Sequence, residues 1–349
     1  MPQEIRAWGT TAKDRPLAPL TIPRRDPGPN DVVIDVEFCG VCHSDIHQAR
    51  DEWGGSLFPM VPGHEIVGRV TALGASATKH TIGSRVGVGC FVDSCRRCGQ
   101  CGLGFEQFCA EGMALTYNGT EMDRKTPTFG GYSKRIVVDQ AYVLRVPESL
   151  DPAAAAPLLC AGITTYSPLR EWNVKKGDRV GVVGLGGLGH MGVKLARSMG
   201  ADVVVLSTSP SKEEDARRLG ATDFVVTKDA AQMKRAKGLD LILDTVAANH
   251  SFDPFLRLLR PRGALVLVGA PNEAIPVAPF ALIQGNRRLA GSSIGGIAET
   301  QEMLDHCAAH GIVSDIETIA IDQINEAYER VLKSDVRYRF VIDLASLAQ

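Results

Sequence analysis

The chain has 349 residues, with 38 Lys and Arg against 40 Asp and Glu, for a formal net charge of −2. Hydrophobic residues at 44% and charged residues at 22% exclude a disordered chain. The near-neutral balance gives no electrostatic footprint for nucleic acid or an anionic membrane. The length suggests two domains. Nine cysteines, an odd number, cannot all pair within one chain. The start, MPQEIRAWGTTAKDRP, carries charges throughout and lacks the apolar core of a signal peptide. The longest uncharged apolar stretch, residues 153–163, has 11 residues and contains Pro157, too short to span a bilayer. These features predict a cytoplasmic protein, where cysteines more often bind metal or do chemistry than form disulfides.

In chain order, the first 150 residues read as irregular β structure. Runs at 31–38 (DVVIDVEF), 66–72 and 135–138 are separated by turn signals at Pro27-Gly28-Pro29, Pro62-Gly63 and Gly130-Gly131. Beyond Pro157 the texture changes. A strand run at 179–184 (RVGVVG) leads into a glycine turn and a helix reaching Met199. Strand 202–206, helix 212–219, strands 223–226 and 240–243, helix 252–259 and strand 264–268 follow, with a further strand at 289–294. This alternation predicts βαβ units on a parallel sheet. The tail changes again, to helix 298–309, strand 316–321, helix 324–332 and strand 340–344. It is expected to rejoin the first domain, which makes the βαβ unit an insert.

Gly184-Leu185-Gly186-Gly187-Leu188-Gly189 satisfies G-x-G-x-x-G. A strand run ends at Gly184, and an amphipathic helix marked by Met191, Leu195 and Met199 starts within the motif. In that context glycines let backbone N–H groups approach a pyrophosphate at a helix N-terminus. An NAD site places Asp or Glu at the end of the next strand, to hold the ribose 2′-hydroxyl. Here that place reads Ser207-Thr208-Ser209-Pro210-Ser211-Lys212, with no carboxylate before Glu213. Hydroxyls and a cation suit a 2′-phosphate, so the expected dinucleotide is NADP(H).

Cys95-x2-Cys98-x2-Cys101-x7-Cys109 places four thiols at short, turn-compatible intervals, enough to close a tetrahedral zinc site. With every position filled by protein no place is left for water, so the role is structural. An iron–sulfur cluster is the rival, but the final spacing and the lack of Pro after Cys109 differ from the bacterial ferredoxin run. Arg96 and Arg97 allow a zinc-ribbon module for nucleic acid, yet no wider basic or aromatic-interleaved patch accompanies them. A second set is dispersed: Cys42 in CGVCHSDIH, His64-Glu65 in PGHEIVG, and Cys160 in PLLCAGITTY. No short spacing brings these together. Singly, the two cysteines could be buried small hydrophobes and His64 a hydrogen-bonded core histidine.

In this order and combination, the glycine loop, the four-cysteine lobe and the three dispersed motifs resemble the zinc-dependent medium-chain alcohol dehydrogenases. Within them the sequence is most similar to the cinnamyl-alcohol-dehydrogenase-like branch of NADP-dependent alcohol dehydrogenases and aldehyde reductases. The likeness runs over essentially the whole chain, to VRYRFVID at 336–343. It implies an α/β fold: a GroES-like β-rich catalytic domain interrupted by a Rossmann doubly wound parallel-sheet domain, with the active site in the cleft between them. The catalytic domain would take 1–153, with a structural zinc lobe at 90–112, and 295–349; the NADP-binding domain would take 154–294.

The same resemblance implies two zinc ions per chain, one structural and one catalytic. Cys42, His64 and Cys160 match the catalytic zinc ligands, and Glu65 a carboxylate near the metal that can replace its water. Asp45 matches an acid that orients the liganding histidine, Ser44 the hydroxyl touching the substrate oxygen, and His47 the outer end of a proton relay. His43 matches a residue near the cofactor phosphates and Thr164 a contact on the nicotinamide side. Ser207, Thr208, Ser209 and Lys212 correspond to the 2′-phosphate pocket. Thr245, Gly269, Ser293 and Ile294 are expected along the cofactor, and Arg337 near Glu65 and the pyrophosphate. Trp53, Leu115 and Ile294 are expected to line an apolar substrate pocket. Lignin-pathway members carry bulky aromatics where this chain has Leu115 and Ser293, so broad specificity for aromatic and medium-chain aliphatic aldehydes is expected.

A homodimer, with a tetramer as the larger alternative, completes the implied picture, with no nucleic-acid or membrane partner. The alternative activity is an NAD-linked polyol or secondary-alcohol dehydrogenase of the same superfamily. It is disfavoured by the missing acid after the second Rossmann strand and by Cys160, where polyol enzymes often have a carboxylate. Cys39, Cys90 and Cys307 are left as ordinary buried or free thiols, and His80, His190, His250, His306 and His310 as surface or packing residues.

Overall fold

The computed structural model describes residues 3–271 and 273–348. Backbone packing divides the chain into two compact units, Met1–Cys160 with Gly295–Gln349, and Ala161–Ile294. The first division falls at Cys160/Ala161 rather than 153/154, so Cys160 stays with the first unit.

In the first unit, β1 (Gln3–Gly9) and β2 (Ala18–Arg24) form an antiparallel ribbon. The spine is β3 (Asp31–Gly40), a Val- and Ile-rich strand buried along most of its length. It leads into α1 (His43–Ala49) and pairs antiparallel with β4 (Ile66–Leu73), which pairs with β5 (Arg85–Val88). The short pair β6 (Phe91–Asp93) and β7 (Ala114–Leu115) flanks the cysteine lobe and its one-turn helix α2 (Gly99–Gly102). β8 (Gly119–Thr120) and β9 (Pro127–Thr128) form a small ribbon. β10 (Arg135–Asp139) adds to β3, and β11 (Leu144–Arg145) adds to β5. α3 (Pro152–Ala155) starts where Asp151 accepts the Ala154 N–H and Pro152 opens the first turn.

The second unit opens with α4 (Ala161–Glu171), then alternates β12 (Arg179–Val183), α5 (Gly189–Ser198), β13 (Asp202–Ser207), α6 (Glu213–Arg218), β14 (Asp223–Val226), α7 (Ala230–Arg235) and β15 (Leu239–Asp244). α8 (Asp253–Leu256), β16 (Leu259–Leu267), α9 (Pro279–Ile283) and β17 (Arg288–Gly291) complete it. All six strands are parallel, in the order β14-β13-β12-β15-β16-β17. The order reverses between β12 and β15, the switch point where a doubly wound sheet opens a crevice beyond its strand ends. Two expectations are corrected here. The helix expected at 252–259 shortens to α8, because the Leu258 carbonyl accepts the Gly238 and Leu239 N–H groups and draws the chain into β16. The strand expected to reach residue 294 stops at Gly291, and Ile294 turns to φ +39.

The chain then returns to the first unit through α10 (Ile297–His310), β18 (Ile316–Ala320), α11 (Ile324–Leu332) and β19 (Arg339–Asp343). β19 runs antiparallel to β3 with Val341 opposite Gly40, and β18 lies parallel to β19. Among the described residues no helix is long and apolar enough to cross a membrane.

Candidate functional site

The first cluster is built where β3 gives way to α1. Cys42 precedes the helix, and its N–H donates to Asp45 Oδ2 at 2.8 Å, so a first-turn carboxylate closes the helix start. Asp45 is wholly buried. Its Oδ1 lies 3.2 Å from His64 Nδ1 and accepts the Gly63 N–H at 3.1 Å, while Oδ2 accepts the Tyr132 hydroxyl at 3.3 Å. One carboxylate thus ties α1, the loop carrying His64 and the turn at Tyr132. With Nδ1 committed to Asp45, His64 turns Nε2 towards the thiols, the tautomer a metal requires. Tyr117 stacks on the His64 ring with centroids 5.8 Å apart.

Cys42, His64, Glu65 and Cys160 are all buried, and their ligand atoms lie within 4.8 Å of one another. The Cys42 and Cys160 sulfurs are 3.9 Å apart. Zn–S bonds of about 2.3 Å would set two tetrahedral sulfurs about 3.8 Å apart, so the pair fits zinc. The neighbouring Cys160 thiol, together with the Arg339 charge, holds the Cys42 thiol well below its usual range despite burial, while Cys160 is pushed up.

Glu65 reinforces the fit. Neither carboxylate oxygen has a hydrogen-bond partner among the described residues, although Arg339 Nη1 lies 3.3 Å from Oε1. Burial pushes the carboxyl up to about 8, against the pull of Arg339. A cation at the cluster would satisfy these orphaned oxygens. Gly40 makes room for them: a Cβ there would sit 1.9 Å from Glu65 Oε2.

Arg339, not Arg337, occupies this place. β19 begins at Arg339 and lies along β3, which lets the buried guanidinium donate to the Val41 carbonyl at 3.1 Å and face Glu65. Arg337 precedes the strand and is exposed, with its backbone N–H on Glu317. Cys90 also departs from its expected ordinary character. Its thiol packs against Cys160, whose hydrogen bond lowers it. Cys39 and Cys307 are buried thiols.

On α1, the Ser44 hydroxyl lies 3.7 Å from the Cys42 sulfur. His47 stacks on Trp53 at 4.9 Å between centroids, and its Nδ1 is 2.5 Å from Glu52 Oε2. Sequence reasoning missed Glu52; the signal was an acid five residues after the histidine, just past the helix end. His43 is exposed on the same helix, with its ring 6.2 Å from His47. Leu115 is half-buried in β7 opposite Phe91.

In the second unit, β12 ends at Val183 and Gly184 turns at φ +85, a conformation glycine reaches without strain. A Cβ on Gly189 would lie 2.2 Å from the Gly184 carbonyl oxygen, so the turn is closed by glycine at both ends. Lys212 Nζ donates to the Leu185 carbonyl at 2.9 Å, which places the cation at the turn. Ser207 ends β13 and its hydroxyl accepts the Ser209 N–H, while Thr208 is exposed. Thr245 Oγ1 donates to Val183 O at 2.7 Å, and Gly269 N–H to Asp244 O at 2.9 Å, so both residues sit at the β12–β15 switch point. Thr164 is buried in α4; Ser293 is exposed and Ile294 half-buried beyond β17.

The four lobe cysteines form a second cluster, also within 4.8 Å. Sulfur separations of 3.9 Å (Cys95 to Cys101) and 3.5 Å (Cys98 to Cys101) again suit tetrahedral zinc. The Ala110 N–H, 3.4 Å from the Cys98 sulfur, is the largest influence drawing that thiol down to about 6. Arg96 pairs with Asp93 and Asp139, and Arg97 with Glu111, so the lobe's cations are matched by acids.

Comparison with known proteins agrees with this arrangement. Residues 28–148 match the alcohol dehydrogenase GroES-like domain family and residues 187–309 the zinc-binding dehydrogenase family. NADP-dependent alcohol dehydrogenase C of Mycobacterium tuberculosis is 56% identical over 98% of this chain and 99% of its own. Aldehyde reductase YahK of Escherichia coli is 56% identical over 99% of both chains. Among solved structures, a cinnamyl alcohol dehydrogenase of Sorghum bicolor superposes with a TM-score of 0.95 at 48% identity, covering 98% of both chains. The CAD of Helicobacter pylori, complexed with NADP(H), gives 0.93 at 41%, covering 99% of both. The parallel sheet with its glycine turn, the two four-residue clusters and these likenesses converge: the chain belongs to the zinc-binding alcohol dehydrogenases with a GroES-like domain, in the cinnamyl-alcohol-dehydrogenase-like branch.

Proposed function

We propose that the chain interconverts aldehydes and primary alcohols with NADP(H), and that Cys42, His64 and Cys160 are the ligands of its catalytic zinc. The observation carrying this reading is that these side chains, far apart in sequence, meet at zinc-compatible separations with Glu65 beside them. Bound there, zinc supplies Lewis acidity towards a carbonyl oxygen, and NADPH supplies the hydride. Three protein ligands leave one position for substrate, and Asp45 holds the His64 ring in place for it. Glu65, buried against Arg339 beside these ligands, would offer a further carboxylate oxygen to the metal.

The chain's own work is then proton movement. The Ser44 hydroxyl, one helical turn before His47 on α1, donates to the substrate oxygen, and His47 carries the proton towards solvent. Glu52 on Nδ1 and Trp53 on the ring face hold the imidazole. His47→Gln is expected to lower kcat about a hundredfold with bound zinc unchanged, and an unaltered kcat would remove His47 from the relay.

Four lobe cysteines hold the structural zinc. The glycine turn holds the pyrophosphate, while Ser207, Thr208, Ser209 and Lys212 hold the 2′-phosphate. Lys212→Ala is expected to raise KM for NADPH about tenfold and leave KM for NADH nearly unchanged, because only the former loses a charge-assisted bond. Equal effects on both nucleotides would overturn that role.

Trp53 and Leu115 supply apolar surface, which suits aromatic and medium-chain aliphatic aldehydes. Zinc analysis per chain beside an NADPH-linked aldehyde panel tests the whole reading. We further assign a cytoplasmic homodimer. Support comes from cysteine usage typical of a reducing compartment and from the sheet's last strand, β17, beside exposed Phe280 and Ile283.

A further inference from the structure

Asp244 ends β15 at the switch point, directly opposite Val183, the last residue before the glycine turn. Its carboxylate is buried and, among the described residues, pairs with no guanidinium or ammonium; Oδ1 accepts the Val246 N–H and Oδ2 faces His250. His250 Nε2 lies 2.7 Å from Asp244 Oδ2, and Nδ1 lies 2.8 Å from the Ala248 carbonyl oxygen. Both ring nitrogens face oxygens: the neutral ring donates to one of them and the protonated ring to both, so in the latter form the imidazole is a two-armed tie across residues 244–250. Phe252 and Phe255, in the core of the unit, meet the imidazole in near-perpendicular ring contacts, at centroid distances of 5.3 and 5.8 Å.

The rest of the strip is held by the Val246 N–H on Asp244 Oδ1 at 3.2 Å and by Asn249 Oδ1, which accepts the Glu273 N–H at 3.4 Å. Ala247, Ala248 and Asn249 are small or polar and exposed. Thr245 and Val246, however, are pressed against the nucleotide turn. Thr245 bonds the Val183 carbonyl through both its N–H and its hydroxyl. A Cβ on Gly184 would lie 2.7 Å from Val246 Cγ2, and one on Gly269 2.5 Å from the Val246 carbonyl oxygen. A shift of Val246 by an ångström would therefore push on the backbone that receives the pyrophosphate.

We infer that His250 and Asp244 are a positioning pair for the dinucleotide: by tying residues 244–250 they hold Thr245 and Val246 against the glycine turn and so set the affinity for NADP(H). This rests on the assignment of that turn as the cofactor site. It predicts that breaking either arm weakens cofactor binding without touching the zinc clusters, all of whose residues lie in the other unit.

The test is NADPH titration by nicotinamide fluorescence on zinc-loaded wild type, His250→Phe, His250→Gln and Asp244→Asn. His250→Phe and Asp244→Asn are expected to raise Kd about tenfold, the size of one buried charge-assisted bond, with zinc per chain unchanged. His250→Gln keeps a donor for Asp244 and should recover most of the affinity. In steady state the effect should fall on KM for NADPH more than on kcat. If His250→Phe does not fold, Asp244→Asn decides. A lowered Tm with wild-type Kd would assign the pair to stability alone and overturn the inference, as would equal affinities across the series. Wild type that binds no NADPH overturns the cofactor assignment and this inference with it, a separate outcome.

Discussion

Replacing Cys42 with serine is expected to lower aldehyde-dependent NADPH oxidation about a thousandfold and to leave one zinc per chain instead of two. The magnitude follows from what one ligand does. The neighbouring Cys160 thiol and the Arg339 charge both draw the Cys42 thiol down, which favours the sulfur anion there. Serine in that position would be a neutral hydroxyl under the same conditions, a poor donor for zinc. It would also leave Glu65 and Arg339 facing each other in a buried space without the cation that balances the cluster. Several kcal/mol of stabilisation of developing charge on a carbonyl oxygen is lost with the metal, which corresponds to about three powers of ten in rate. NADPH binding should be retained, because the nucleotide turn lies in the other unit. Zinc analysis and NADPH oxidation with benzaldehyde check the result; a wild-type rate would remove Cys42 from the catalytic set.

Cys98→Ser is expected to release the other zinc and lower Tm by about 10 °C, with new protease cleavage between residues 95 and 112. The lobe has almost no core of its own. Its one-turn helix α2 buries no residue, and Leu103 and Phe108 are 70% and 52% exposed. Backbone N–H groups of Cys95, Cys98 and Ala110 point at sulfurs instead of at carbonyls. With the metal gone, those bonds and the sulfur tetrahedron go together, and no apolar burial remains to hold the segment. Calorimetry and limited proteolysis measure this directly. An unchanged Tm and an intact lobe would show that packing alone carries it.

What the sequence disclosed follows the range of the forces involved. The lobe cysteines and the glycine turn are local patterns: their residues must be close because the chain is short between them, so spacing revealed the first, and spacing with the flanking strand and helix revealed the second. The parallel strands β12 to β15 were legible for the same reason, as buried Val and Ile runs between helices. The second cluster was not legible from spacing. Cys42, His64 and Cys160 meet only because β3, β4 and the turn before α4 pack together, and resemblance supplied what spacing withheld. Arg337 and Arg339 show the limit most clearly. Both are arginines at the start of an apolar run, and only the register of β19 against β3 decides which one is buried beside Glu65. Glu52 and Cys90 escaped for a related reason, since their partners His47 and Cys160 are chosen by side-chain direction rather than by any pattern along the chain.

The pairing of β19 with β3 bears on how the protein comes off the ribosome. Domains fold largely as units, in the order they are synthesised. The six-stranded parallel unit is continuous, so it can complete its sheet while the surrounding unit still lacks its last strands. The surrounding sheet must wait for β18 and β19, and with them for Arg339. Until then Glu65 lacks Arg339 and one edge of β3 stays unpaired at Phe38–Gly40, beyond the stretch that β10 covers, so the nascent chain carries a short template for aggregation beside a half-built metal site.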